Sequence, residues 1–146
     1  MRFFDVCKEF LSHGYSVRFR ADGRSMYPTI KDGEAITVTP VEPSHVKRGD
    51  IILCRFERGV VAHRVLRIAK RKASRSHKDF VLTTFFILRG DAAIACDEPV
   101  EPQQVLGKVI SVERDGRSIT LDSRRAKFFY TVRVFVLRYK NWMLDH

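Results

Sequence analysis

The sequence predicts a mainly β fold: a compact, antiparallel, coiled or barrel-like sheet with a short N-terminal helix and a C-terminal amphipathic helix. Between residues 16 and 122, short strand patterns follow one another with turn signals between them, and neither a repeat nor a linker interrupts the series. Apolar residues make up 45% of the chain and charged residues 30%, which is typical of a globular protein. We therefore expect one domain over 1–146, with a β core over about 16–122 and an amphipathic segment over 123–146.

The first third of the chain predicts one helix and two strands. In "FFDVCKEFLS", residues 3–12, apolar side chains recur at helical spacing, and Gly14 ends the helix. "SVRFRA" and "EAITVT" alternate apolar and polar residues, which indicates strands. Between these strands lies a loop that carries Ser25 between glycine and proline turn signals.

The middle of the chain predicts further antiparallel strands. "IILCRFE" and "VVAHRVLRIA" flank an Arg-Gly turn and indicate a hairpin. "KRKASRSHKD", residues 70–79, is dense in positive charge and indicates a solvated hairpin tip. "FVLTTFFILRGD" is a strand, and "VLGKVISVERDGRSITLD" holds two strands joined by a tight turn.

The last 24 residues differ in pattern from the β core. One apolar helical face is formed by Phe128, Val132, Phe135, Val136 and Tyr139, and much of the remainder is basic. We favour a helix that docks on the β core, although the β-branched and aromatic content also fits a strand. The functional alternative is an amphipathic segment that contacts an anionic membrane or a partner protein.

The net charge of +10 indicates an anionic partner: a nucleic acid, an anionic membrane surface or an acidic peptide. No stretch has the roughly 18 consecutive apolar residues that span a bilayer, and Asp5, Lys8 and Glu9 interrupt any signal-peptide core. We therefore expect a cytoplasmic protein, with peripheral contact at the membrane as the alternative. The cysteines and histidines are scattered without disulfide or zinc spacing, so we expect no cofactor and no metal.

Four residues are candidates for chemistry, although each has an ordinary explanation. Ser25 alone is a turn serine, and His63 on the apolar face of a strand is usually a packed histidine. Asp91 and Asp97 follow a glycine, where aspartate commonly forms turns. A serine hydroxyl becomes a nucleophile only when a base accepts its proton and a carboxylate orients that base, so these residue types together point to acyl transfer.

Five segments, in this order, resemble the conserved boxes of signal peptidase I-like serine peptidases of the S24/S26 group: "GRSMYPTI", "GDIILCRF", "AHRVL", "RGDAAIACDEPV" and "VLGKVI". The resemblance covers roughly residues 17–112. The His-Arg pair followed by an apolar residue is similar to the endoplasmic-reticulum and archaeal type, whereas ordinary bacterial members carry a lysine there. Self-cleaving repressors share this fold, but they also use a lysine.

The resemblance implies a role for each matching residue. Ser25 is the nucleophile, His63 the general base and Asp97 the acid that orients the histidine, while Asp91 supports the site or shares that role. Met26 and Pro28 fix the nucleophile loop. Gly23 stands where some bacterial relatives carry a hydroxyl residue, so the backbone N–H of Ser25 is the implied oxyanion donor. Ala92 and Ala93 replace the asparagines that relatives often carry after Gly-Asp.

The implied function is a serine endopeptidase that removes a leader or signal segment from a precursor peptide. Because no bilayer-spanning segment is predicted, we expect a cytoplasmic precursor, such as a ribosomally made peptide, as the substrate. The competing hypothesis is a non-catalytic basic module that binds a peptide or a nucleic acid through residues 70–78. Nucleic acid is the less favoured partner, because no helix-turn-helix or aromatic-interleaved motif accompanies the charge.

Overall fold

The computed structural model describes residues 2–122 together with Lys127 and Met143, except for the side chains of residues 73–75. Residues 2–122 form one helix and seven strands: α1 Phe3–Ser12, β1 Val17–Arg20, β2 Ala35–Thr39, β3 Ile51–Phe56, β4 Gly59–Ser76, β5 Asp79–Arg89, β6 Val105–Arg114 and β7 Arg117–Thr120. Two short 3-10 helices cover Pro43–His45 and Pro102–Gln104. Apart from Lys127 and Met143, the predicted C-terminal helix lies outside the described residues.

All seven strands form one antiparallel sheet, so the predicted mainly β fold is confirmed. The strand order is β1-β2-β6-β3-β4-β5, and β7 pairs with the distal part of β6. Within the described residues β1 and β5 do not pair with each other, so the sheet is open and the barrel-like expectation is wrong. The sheet does not close because β1 has only four residues and β5 leaves the body with β4 as a two-stranded arm.

The central strand β3 is buried on both faces. Ile51 and Leu53 belong to one apolar cluster, whereas Ile52 and Cys54 belong to a second, as the alternation of side chains along a strand requires. The helix α1 buries Leu11 in the first cluster, at the position that its helical spacing predicts. The rigid centre of the sheet therefore lies directly beside the strand that carries His63, because β3 pairs with β4.

The basic segment after His63 is a strand rather than the tip that its composition predicts. β4 and β5 remain paired as far as Ser76 and Asp79, so only residues 77–78 form the turn. The prediction failed because the apolar partners of this stretch, Phe80 and Leu82, lie on the other strand of the hairpin. Among the residues described, no helix has the length and apolar character needed to cross a membrane.

Candidate active site

Ser25 lies in the loop that connects β1 to β2. Gly23 adopts a φ of +94°, a left-handed conformation that favours glycine, and its N–H donates to Oδ1 of Asp32 over 2.8 Å. After Ser25, the chain buries Met26 at 5% exposure and passes through a cis peptide bond before Pro28. The loop is therefore anchored on both sides of a serine that stays exposed.

His63 stands in β4 opposite the fully buried Ile52 of β3 and is itself 7% exposed. Its Nε2 lies 2.9 Å from Oγ of Ser25, and its Nδ1 lies 2.5 Å from Oδ2 of Asp97. An ionised carboxylate only accepts hydrogen bonds, so we assign the ring hydrogen to Nδ1. In this tautomer Nε2 has a lone pair directed at the Ser25 hydroxyl, which is the arrangement that serine activation requires.

Asp97 is fixed from two sides. Its backbone N–H donates to the oxygen of Leu88 over 2.9 Å, which ties the loop to the end of β5. The carboxylate oxygen that does not face His63 accepts a hydrogen bond from Arg58 over 3.1 Å. Arg58 also lies 4.4 Å from the centroid of the Phe56 ring. The half-exposed guanidinium therefore holds Asp97 in the orientation that serves the imidazole.

Asp91 belongs to a different network from Asp97. Its side chain is fully buried and accepts two hydrogen bonds from Arg64, both over 2.8 Å, and one from Thr29 over 2.5 Å. Its backbone N–H donates to Sδ of Met26 over 3.4 Å. The contacts with Thr29 and Met26 fix the nucleophile loop, those with Arg64 join it to β4, and within the described part of the chain none of them reaches His63.

Gly90, directly after β5, packs tightly against the nucleophile loop. A Cβ atom built there would lie 2.5 Å from the backbone oxygen of Ser25 and 3.1 Å from Nε2 of His63. Two residues later, the N–H of Ala92 donates to the same Ser25 oxygen over 2.9 Å. Only glycine leaves room for this contact.

A cleft of about 350 Å³ runs past Ser25. One wall is formed by residues 20–23 together with Ser25, and the other by residues 60–63 of β4. Pairing of β4 with β5 begins only at Arg64, so within the described residues the outer edge of residues 60–63 carries no neighbouring strand. The floor is apolar and includes Ile36 and Leu53. An extended peptide therefore has both a free strand edge and an apolar floor to contact.

Two further features bear on the chemistry of the cleft. Within the described residues, the backbone N–H groups of Ser25 and Met26 have no hydrogen-bond acceptor, so both are free to bind an oxyanion. Cys54 lies in β3 opposite Val61 of β4, where burial and, secondarily, the Asp97 carboxylate raise the pKa of its thiol to about 12. The thiol is protonated at neutral pH and does not act as a competing nucleophile.

Four of the seven residues selected from the sequence line this cleft, namely Gly23, Ser25, Met26 and His63, and the selected residues divide into groups. Ser25, His63 and Asp97 form one hydrogen-bonded row, whereas Asp91 and Met26 form the support beneath the loop. Sequence reasoning missed several members of the site: Arg58, Arg64, Thr29 and Gly90. Three of these stand inside the quoted motifs, while Arg58 has no signal beyond its place in a turn.

Comparison with known proteins gives one result. A family model described as Peptidase S24-like matches residues 2–76, which is just over half of the chain. The matched span includes Ser25 and His63 but ends before Asp97. A search of curated proteins found no match.

Proposed function

Since the chain belongs to the Peptidase S24-like family, we propose that it is a serine endopeptidase of the signal peptidase-like class, with Ser25 as nucleophile. The observation that carries the proposal is the row of short contacts from Oγ of Ser25 to His63 and from His63 to Asp97, at 2.9 and 2.5 Å. Hydrogen bonds of this length join a nucleophile, a base and an orienting acid in serine hydrolases on unrelated folds.

In the proposed acylation step, Oγ of Ser25 attacks the carbonyl carbon of a peptide bond while Nε2 of His63 accepts the hydroxyl proton. The imidazolium that forms is stabilised by the Asp97 carboxylate. The oxyanion of the tetrahedral intermediate accepts hydrogen bonds from the free N–H groups at Ser25 and Met26. Each such donor typically raises the rate by about 10²–10³-fold. Collapse of the intermediate breaks the carbon–nitrogen bond, and the imidazolium protonates the leaving amine.

Deacylation repeats these roles with water. His63 removes a proton from the attacking water, the ester bond to Ser25 breaks, and the serine recovers its proton from the histidine. His63 mediates every proton transfer and backbone N–H groups bind the oxyanion, so the proposed mechanism needs no metal or cofactor. General-base assistance of this kind contributes about 10²–10⁴-fold.

We propose a precursor peptide or protein as the substrate, cut to release a leader or signal segment. The support is the cleft itself: a strand edge at residues 60–63 beside an apolar floor suits an extended chain with small apolar side chains. A cytoplasmic location, with membrane contact through residues 123–146 as the alternative, stays a prediction that cell fractionation tests.

A non-catalytic peptide-binding role is the second candidate, and the free edge at residues 60–63 would serve it equally well. The two candidates differ in whether Ser25 is needed. Binding through the edge does not require the Ser25 hydroxyl, whereas cleavage does. Nucleic-acid binding, the third candidate, would respond to reversal of the charges at residues 70–78 and not to changes in the loop.

The test is cleavage of small precursor peptides produced in the same cells, with mass spectrometry used to detect a new amino terminus. We expect Ser25→Ala to lower the cleavage rate by about 10⁴-fold or more without altering the fold. Ser118→Ala, at an exposed position of β7, is the matched control and should cleave normally. Cleavage by the Ser25→Ala protein at the wild-type rate would contradict the proposed mechanism.

A further inference from the structure

The outer edge of β5 carries unused backbone hydrogen-bonding groups. Phe86 exchanges two backbone hydrogen bonds with Val100, over 2.7 and 2.9 Å, so its N–H and C=O point away from β4. Because backbone direction alternates along a strand, the N–H and C=O groups of Phe80, Leu82 and Thr84 point the same way. Among the described strands β5 pairs only with β4, and no other described group accepts from or donates to these outward groups. The edge is therefore open beyond the point where Val100 covers it.

The side chains along this open edge are apolar and exposed. Phe80 and Leu82 are 66% and 59% exposed, and they lie on the same face of β5 as the fully buried Phe86. Natural edge strands are commonly protected by bulges, short length or inward-pointing charges. An exposed apolar stripe that continues a core face along an open edge instead indicates a surface that is covered in a complex.

A cavity of about 650 Å³ lies alongside the open edge. Residues 82–85 of β5 form one wall, and Pro99 and Pro102, which flank the start of the second 3-10 helix, contribute to the other. The segment that covers β5 at Phe86 turns away here. The cavity therefore leaves space for side chains of a strand that extends the sheet beyond Phe86.

The neighbouring strand gives this surface a positive charge. Cross-strand pairing puts Lys70 opposite Thr84 and Lys72 opposite Leu82, so both lysines share the face of the apolar stripe. Nζ of Lys72 lies 5.9 Å from the centroid of the Phe80 ring. A strand added at the edge would pass within reach of these cations.

The surroundings of the edge decide what kind of partner fits. Arg71 lines the cavity and Lys78 lies in the turn, while Asp79 and Glu101 are acidic neighbours. With the lysines at positions 70 and 72 the balance is positive, which favours an anionic partner. Neither a membrane surface nor a nucleic acid can pair with strand N–H and C=O groups in register. A polypeptide can do so, and acidic side chains would match the charge.

We propose that the β5 edge at residues 80–84 binds an extended, acidic polypeptide segment as an additional strand, and that this segment belongs to the precursor substrate. The identity of the polypeptide rests on the proposed function, whereas the binding itself does not. From Thr84 to Gly90, beside Ser25, six strand residues span about 20 Å. A precursor with about six extended residues between its two segments reaches both sites, so docking at the edge raises the effective concentration of the scissile bond.

The test measures binding by fluorescence anisotropy with the full chain carrying Ser25→Ala. The probe is a labelled peptide of about ten residues that alternates glutamate and valine. We expect it to bind, and a counterpart with lysine in place of glutamate to bind about tenfold more weakly. Because the nucleophile is removed, failure of this binding and failure of cleavage by wild-type protein are separate results.

A matched pair of substitutions at Thr84 examines the edge itself. Thr84→Pro removes an outward N–H without removing a hydrogen bond to β4, whereas Thr84→Ala keeps that N–H. We expect Thr84→Pro to weaken peptide binding about three- to tenfold, the worth of one backbone hydrogen bond, and Thr84→Ala to change it less than about twofold. If Thr84→Pro fails to fold, Lys72→Glu serves instead, because it leaves the backbone intact. It should weaken binding of the acidic peptide and strengthen binding of the lysine counterpart.

Three results would overturn the proposal. One is equal peptide affinity of the folded Thr84→Pro and Thr84→Ala proteins. Another is that the protein binds anionic phosphatidylglycerol vesicles but not the acidic peptide, and that Lys72→Glu abolishes the vesicle binding. This result would assign the surface to a membrane. The last is a dimer that Thr84→Pro dissociates and the peptide does not, which would assign the edge to a second copy of the chain.

Discussion

Replacing Gly90 with alanine adds one carbon atom where the chain, directly after β5, packs against the nucleophile loop. The new atom would lie 2.5 Å from the backbone oxygen of Ser25 and 3.1 Å from Nε2 of His63. Gly90 is not among the glycines with positive φ, so alanine is not strained by the backbone conformation itself. The collision is with a backbone atom, which cannot rotate away as a side chain would.

The size of the displacement sets the expected effect on rate. Ordinary contacts of a Cβ begin at about 3.4 Å, so the loop and β5 must separate by about 0.9 Å. A shift of this size breaks the 2.9 Å contact between Ser25 and His63. Misplacement of reacting groups by about 1 Å costs on the order of 10²-fold, or about 2.7 kcal/mol in activation free energy. We therefore expect Gly90→Ala to slow acylation of Ser25 about 100-fold.

Acylation can be measured without the natural substrate. A fluorophosphonate probe reacts with an activated serine hydroxyl, and intact-protein mass spectrometry follows its addition to Ser25. Gly107→Ala is the matched control, because its Cβ would lie 2.7 Å from the backbone oxygen of Thr39, away from the row of Ser25, His63 and Asp97. Both substitutions should lower the free energy of unfolding by about 1–3 kcal/mol through overpacking. Only Gly90→Ala should slow acylation.

A folded Gly90→Ala protein that reacts within about threefold of wild type would refute this reasoning, since the close approach would then not control the position of Ser25. Equal slowing by Gly107→Ala would refute it as well, because the loss would then follow from general destabilisation.

Two further predictions follow from the ion pairs around the site. Arg58→Ala removes a hydrogen bond that holds the Asp97 carboxylate beside His63, so acylation should slow about three- to tenfold, and an unchanged rate would contradict the role given to Arg58. Hydrogen bonds from Arg114 hold the pKa of Glu34 below its ordinary value. The pair therefore stabilises the fold when the pH is above the unfolded-state pKa of Glu34, and this contribution is lost as the pH falls through the folded-state pKa. Urea denaturation should show that Glu34→Gln lowers the free energy of unfolding by about 1–2 kcal/mol at neutral pH and by less in acid. As a control, Glu113→Gln, which breaks an exposed ion pair, should change the free energy of unfolding by less than about 0.5 kcal/mol.

The strands were predictable where the pattern is local. Alternation in "SVRFRA" and "EAITVT" predicts β1 and β2, because each strand buries one face. The course of β4 through residues 70–76 was not predictable from its own composition, since the partner residues that favour a strand there belong to β5. Whether the sheet closes into a barrel could not be predicted from the sequence pattern either, because closure depends on how the two edge strands lie in space.

The candidate site was predictable in its residue types but not in its contacts. The order of the motifs selects Ser25, His63 and Asp97, which the structure brings within hydrogen-bonding distance. The separate network of Asp91 could not be deduced, because both aspartates follow the same glycine and only coordinates distinguish their partners. Arg58 was missed because an arginine in a turn has no pattern that indicates a buried carboxylate nearby.

One strand carries both networks because His63 and Arg64 are neighbours whose side chains point to opposite faces of β4. His63 faces Asp97, while Arg64 is 3% exposed and binds Asp91 through two hydrogen bonds and the oxygen of Gly49 through a third. A buried carboxylate is tolerated only when its charge and lone pairs are satisfied. Asp91 therefore depends on Arg64, and the loop that holds Ser25 depends on Asp91. This physical link gives a reason for an arginine directly after the histidine: the same segment of backbone fixes the positions of His63 and, through Asp91, of Ser25.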